Sequence, residues 1–498
     1  MSDRYYLSTG SEWTFELLGI YDQEIARLAD GFQLDTYPNQ IEVINSEQMI
    51  DAYAAVGMPL MYNHWSFGKH FLKNIQSYQR GSMGLAYEIV INSNPCIAYL
   101  MEENTMAMQA MIIAHACYGH NSFFKNNYLF RQWTNADSII DYLLFAKRYI
   151  NECEERYGVK EVETLLDACH ALMNQGVDRY KHPNPLSSAE EEHLIQEREA
   201  YTQKNLNDLW RTVPTKEPDN IQPIKRYPAT PEENILYFIE KNAPLLNTWQ
   251  REVIRIVRKI AQYFYPQRQT QVMNEGWATF WHYTLMHEMY AKGLIPEGYI
   301  LEFLHTHSNV IFQPGFDDPR YSGLNPYTLG FNIYRDIRRI CEQPTEEDRR
   351  WFPDMAGSPW LEALHFAMNN FKDESFILQF LSPKVMRDMR LFSIKDDEIK
   401  NYLEVAAIHD DSGYRYLREA LAAQYNLGNQ EPNIQVFNVD IQGDRSLILS
   451  HDRHDNRPLN DESTKEILKH TRYLWGFEVS LRSVNEWGKV KQCYGVSQ

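Results

Sequence analysis

An apolar run from Met106 to Ala114, interrupted only by Gln109, predicts a helix buried on nearly all sides. The helix is expected from about Glu102 to Tyr118, with Glu102 and Glu103 near its positive end. It delivers two histidines, His115 and His120, around a cysteine, a tyrosine and a glycine. A second buried helix is expected over 269–290, QTQVMNEGWATFWHYTLMHEMY. Amphipathic helices are predicted over 11–30 with Ser11 as cap, over 46–57 with Ser46 as cap, and over 135–157 and 161–175. Residues 234–265 continue the helical pattern, broken at Pro244. LAYEIVINSNPCIAYL, 85–100, alternates and turns instead, and reads as one or two short strands.

The pattern changes near Ser393. A strand over 402–409, a helix over 412–426, a hairpin over 434–450, a helix over 461–475 and a second hairpin over 477–496 make an α+β set. The expected fold is therefore mainly α: a large helical body, 1–394, and a C-terminal α+β domain, 395–498. Within the body, 187–232 stands apart as a charged helix followed by a Pro-rich linker.

The 498 residues carry 49 basic and 67 acidic side chains, a net charge of −18. Such a surface repels nucleic-acid phosphate, so no nucleic-acid partner is expected. No stretch approaches the roughly 18 apolar residues of a transmembrane helix, and MSDRYYLSTGSEW has no apolar signal core. Six scattered cysteines without a CxxC pair suit reduced thiols. A cytoplasmic location is the expectation.

Imidazoles and carboxylates in the two most apolar helices point to a zinc site or another divalent-metal site. His115 and His120 are five residues apart. On an ideal α-helix their side chains diverge by roughly 140°, so they share an ion only if the helix ends or bulges between them; Gly119 offers a place to end. The economical ligand set is His115, His120 and Glu275. Glu275 and His282 share a face but stand about 10 Å apart along the axis, which makes His282 a substrate-side or supporting residue. His305 and His307 are further candidates for that role or for a fourth ligand. Glu102 or Glu103 would serve as base only if the helix start folds towards the site. Cys117, in an apolar helix, reads as a packed thiol. MNEGWA also resembles the helix start of gluzincin peptidases, in which the glutamate is a zinc ligand.

Longer strings carry a wider resemblance. YEIVINSNPCIAYLMEENT (87–105), HACYGHNSFFKNNYLF (115–130), YFYPQRQTQVMNEGWATFWHY (263–283), LNPYTLGFNIYRDIRRIC (324–341) and EPNIQVFNVDIQGDRSL (431–447) resemble the SpoVR family, in its enterobacterial type. The resemblance runs from about Trp13 to Glu486. It implies a link to peptidoglycan of the spore-cortex kind, or to stress and stationary-phase regulation. It further implies a PrkA-type serine protein kinase and a von Willebrand-like protein as partners. It implies no reaction and no catalytic residues. Two functions follow as expectations: a regulator in such a system, or a metal-dependent hydrolase of the peptidase or amidase kind acting on a peptidoglycan precursor or a protein.

Overall fold

The computed structural model describes residues 6–55, 57–79, 88–179, 227–228, 230–395, 404–407, 410–441 and 443–495. The charged helix expected from 187 and most of the Pro-rich linker lie outside these residues. The fold is mainly α with a C-terminal α+β part. The chain groups into two compact units, one made of 1–164 and 262–431, the other of 165–261 and 432–498.

In the first unit a small sheet supports a helical core. Strands β1 (Asn39–Ile44), β2 (Glu88–Ile91) and β3 (Cys96–Met101) lie in the order β1-β3-β2. β1 runs parallel to β3 and β2 antiparallel to it, with Glu88 opposite Leu100. β2 and β3 occupy the stretch expected to be strands; β1 was not expected. The apolar run begins its helix at Met106, later than Glu102, because the Thr105 hydroxyl accepts the Met108 N–H and sets the cap there. Glu102 and Glu103 stay exposed in the preceding turn. The first helix, Phe15–Gly31, likewise starts after the expected Ser11: Thr14 is its cap, and the Ser11 carbonyl accepts from Met106 N–H. Ser46 opens the Ser46–Ala54 helix, but Asn45 caps it in a reciprocal box with Gln48.

The helix from Met106 does not stop at Gly119. It widens into a π-helix over Ile113–His120 and runs on as α-helix over Asn121–Asn126. Every side chain of the π segment is buried. Against it lies the Gln271–Ala291 helix, whose buried residues include Trp277 and Trp281. A Cβ on Gly119 would stand 2.6 Å from the Ala278 Cα. This glycine therefore lets two backbones touch rather than ending a helix. The Pro326–Glu342 helix packs as closely: a Cβ on Gly276 would meet the Gly330 backbone at 2.4 Å. Those two approaches, at Gly276 and Ala278, follow Glu275 directly in sequence and hold the 271–291 helix between its neighbours.

In the second unit the 234–265 pattern divides around Pro244 into Ile235–Asn242 and the start of Thr248–Gln269. Its sheet has the order β6-β7-β8-β9: β6 (Asn433–Val439), β7 (Leu447–Asp452), β8 (Val479–Val484) and β9 (Val490–Gly495). Both expected hairpins are present as antiparallel pairs, β6 with β7 and β8 with β9. The Asp461–Trp475 helix carries the chain from β7 to a parallel β8. A shorter antiparallel pair, β4 (Ser393–Lys395) with β5 (Glu404–Ala407), falls in the first unit, as does the Asp411–Gln424 helix.

Candidate metal centre

The π-helix answers the spacing problem posed by His115 and His120. Its hydrogen bonds close from i to i+5, so a five-residue step returns to nearly the same face. The two rings stand 4.6 Å apart, edge to face. A π-turn sacrifices regular backbone pairing, and the Ser122 hydroxyl compensates by donating to the Gly119 carbonyl at 2.9 Å while accepting from Trp277 Nε1 at 2.9 Å. Helices seldom keep such a bulge without a functional reason.

Three ligand atoms converge there. One from each of Glu88, His115 and His120 lies within 4.8 Å of the others, and among the described residues this is the group of three metal-capable side chains so arranged. His115 Nε2 stands 3.6 Å from Glu88 Oε1. His120 Nε2 stands 3.5 Å from Glu275 Oε2. Of the expected trio, His115 and His120 converge with Glu88, which comes from the head of β2, while Glu275 stands beside His120 and outside that group. The sequence reading missed Glu88. The signal was present: a single carboxylate opens the otherwise apolar EIVI strand, and a buried strand carries a charge only for a partner.

The imidazoles are set by their far nitrogens. Asn274 Oδ1 is only an acceptor, so His120 donates Nδ1–H to it over 2.9 Å, and the Nε2 lone pair is left facing the centre. His115 Nδ1 meets His282 Nδ1 at 2.9 Å, and His282 Nε2 meets His307 Nδ1 at 2.8 Å. His282 and His307 therefore support His115 from behind. His305 does not join them: it is exposed on the other side of the Glu297–Val310 helix, beside Asn309.

Burial pushes the Glu88 carboxyl up to about 8, and the Glu275 carboxylate adds to the shift. Burial, with His120 and His282 next to it, holds His115 well below the ordinary imidazole range; burial and His307 do the same to His282. Neither carboxylate has a lysine or arginine partner among the described residues. Glu275 Oε2 is buried and accepts no hydrogen bond. Two carboxylates beside two imidazoles form a donor set that suits a divalent cation.

Asp373 anchors the Glu275 helix. Its carboxylate accepts from Val272 N–H and Met273 N–H, each at 2.9 Å, at the helix N-terminus. Burial raises this carboxyl to about 7 in spite of those bonds. Cys117 is a buried thiol pushed well above its usual value by burial, which suits packing and not nucleophilic chemistry.

The centre opens on a cavity of about 550 Å³ lined by Glu88, His115 and His282 on one side and by Phe312, Leu324 and Tyr327 on the other. The Tyr327 phenol faces Glu275; that carboxylate, with burial and Glu88, drives its pKa far up and keeps it a proton donor. Asn325 caps the 326–342 helix and donates to the Val310 and Phe312 carbonyls, which fixes the loop that carries Tyr327.

The sequence pattern of the family described as SpoVR like protein matches residues 12–430, and that of the SpoVR-like C-terminal domain matches 432–486. The chain is 63% identical over 490 residues to the Escherichia coli (strain K12) protein named "Uncharacterized protein YcgB", covering 98% of this chain and 96% of that one. No solved structure matches. Among the described residues no helix is long and apolar enough to cross a membrane. With both matches together spanning the chain almost from end to end, the protein belongs to the SpoVR family.

Proposed function

We propose that the protein is a metal-dependent hydrolase of amide or ester bonds, with Glu88, His115 and His120 as ligands to one divalent cation. The observation that carries this reading is the convergence of those three ligand atoms within 4.8 Å, beside a cavity that Glu88 and His115 line. Three protein ligands leave a coordination position open, as catalytic sites do and closed structural sites do not. A zinc, iron or manganese ion held there supplies a Lewis acid to water or a carbonyl oxygen.

The remaining work falls to the chain. Glu275 Oε2, buried without a partner next to His120, takes the proton from the attacking water. The Tyr327 hydroxyl, at the cavity wall, turns its one proton from Glu275 to the oxyanion that forms on the substrate, as Glu275 takes up the water proton. Asn274 and Asp373 hold His120 and the Glu275 helix in place. The substrate class that suits both the cavity and the family is a peptide, as a peptidoglycan precursor or a protein. In the cell the activity belongs to wall or stress and stationary-phase regulation, beside a PrkA-type kinase and a von Willebrand-like partner.

The test begins with elemental analysis of tag-free protein purified without chelator. About one metal ion per chain is expected, lost in Glu88→Gln and His120→Ala. Glu275→Gln is expected to keep the metal and lose hydrolysis of stem peptides or casein. Folded wild-type protein that takes up no metal even on reconstitution overturns the reading.

A further inference from the structure

The three imidazoles behind the centre form a continuous chain: His115 Nδ1 to His282 Nδ1 at 2.9 Å, then His282 Nε2 to His307 Nδ1 at 2.8 Å. All three side chains are buried. His307 is clamped by rings, with Tyr283 and Phe331 each at 5.0 Å and Phe303 at 5.6 Å between centroids. A neutral imidazole has one N–H and one lone pair, so each contact needs a donor on one side and an acceptor on the other.

Only two arrangements satisfy both contacts. In the first, His115 Nδ1–H donates to His282 Nδ1, His282 Nε2–H donates to His307 Nδ1, and His307 keeps its proton on Nε2. In the second, His307 Nδ1–H donates to His282 Nε2, His282 Nδ1–H donates to His115 Nδ1, and His115 Nε2–H points at Glu88. Each holds three ring protons. Passing from the second to the first releases one proton from His115 Nε2 and takes one up at His307 Nε2, with water as acceptor and donor. Protons shift from one nitrogen to the other in all three rings, and no ring changes charge. Only the first arrangement leaves a lone pair on His115 Nε2 for a cation.

We propose that His282 and His307 are positioning residues that select the metal-binding tautomer of His115, and that cation binding is coupled through them to a tautomer change at His307. This rests on reading Glu88, His115 and His120 as ligands. His120 needs no such chain, because the Asn274 carbonyl oxygen already fixes it. His115 is backed by the Ala278 backbone and by another histidine, and that histidine is fixed by the next.

The test uses zinc as the probe on the full chain. Nitrogen-15 histidine spectra of wild-type protein are expected to show His307 carrying its proton on Nδ1 without zinc and on Nε2 with zinc. His307→Phe fills the ring-lined niche but accepts no hydrogen bond, and is expected to weaken zinc about 10- to 100-fold. His307→Asn, which restores an acceptor oxygen, is expected to recover most of that loss. Circular dichroism reports whether each variant folds; should His307→Phe fail to fold, the wild-type spectra and His307→Asn decide. A folded His307→Phe that binds zinc as tightly as wild type, or a zinc-loaded wild type with the His307 proton on Nδ1, overturns the proposal. Wild-type protein that binds no zinc, nor iron or manganese, overturns the metal reading itself, which separates the two failures.

Discussion

Glu240 in the second unit and the Glu88–Glu275 pair in the first are carboxylates withdrawn from water under opposite conditions. Glu240, with its side chain 1% exposed, is met by Arg255 at 3.0 Å, Arg258 at 3.1 Å and Lys241 at 3.2 Å. Burial alone would push its pKa up; Arg258 and the bonds from Arg255 and Lys241 outweigh burial and hold it below the usual carboxylate range. Glu88 and Glu275 have each other, imidazoles and the Tyr327 phenol nearby but no cation among the described residues, and Glu88 moves the other way, to about 8. At an effective dielectric near 20, one unit charge at 4 Å is worth about 4 kcal/mol. Three cations therefore repay the several kcal/mol of desolvating one carboxylate, and none repays it at Glu88. A fold that can furnish three cations for one buried acid leaves two others without one, Glu88 lining a cavity and Glu275 beside the π-turn histidine His120. That difference is what marks the Glu88–Glu275 pair as a candidate site.

Replacing one carboxylate in each region should break the comparison most visibly. Glu240→Gln strands Arg255 and Arg258 and should cost roughly 2–3 kcal/mol in denaturant unfolding. That is less than the ~3–5 kcal/mol of a fully buried broken pair, because Arg255 is 37% exposed. Its metal affinity should be unchanged. Glu88→Gln should do the reverse: metal-free stability equal to or above wild type, and metal affinity lower by at least about 100-fold. Equal destabilisation by both would remove the distinction.

A smaller effect tests how the bare pair is held. Gly276→Ala puts a methyl against the Gly330 backbone and should cost about 1–3 kcal/mol by overpacking. Because Glu275 is the adjacent residue, hydrolysis should fall as well while the metal is kept; thermal melts and a peptide-hydrolysis assay on one sample separate the two. A loss of stability with full activity would show that the close helix approach serves packing alone.

The smallest effect lies in the second unit, where buried His451 contacts the Ser483 hydroxyl at 3.0 Å. Burial, with Arg453 beside it, lowers its pKa to about 4, against an unfolded value near 6.5. The unfolded chain then binds the proton first as pH falls. The stability from keeping this ring neutral is complete above about pH 6.5 and is lost progressively towards pH 4. His451→Gln should flatten that part of the stability profile relative to wild type, with metal content unaffected. An unchanged acid slope would place the sensitivity elsewhere.

Much of the architecture was legible along the chain. Periodicity located most helices, Pro244 marked a break, and the two C-terminal hairpins fell where alternating residues and turn residues put them. The readings that shifted did so for tertiary reasons. Ser11 looked like a cap, but its carbonyl is used by Met106. Gly119 had the look of a helix stop, and it is instead where the 271–291 helix comes within contact of the π-turn. A glycine serves both purposes equally well in a sequence, since both need only the missing Cβ.

The sequence by itself determined the mainly α fold, the buried helices, and His115, His120 and Glu275 as the polar side chains most in need of an explanation. Tertiary structure alone decided that a five-residue step closes a turn, since a π-bulge needs the Ala278 and Ser122 contacts to repay its lost pairing. It also decided that Glu88 reaches the histidines from a strand, and that His282 and His307, 167 residues and more from His115, complete its hydrogen bonds. Local patterns record which side chains leave water. Which of them meet is fixed by how separate elements pack, and no spacing along the chain encodes it.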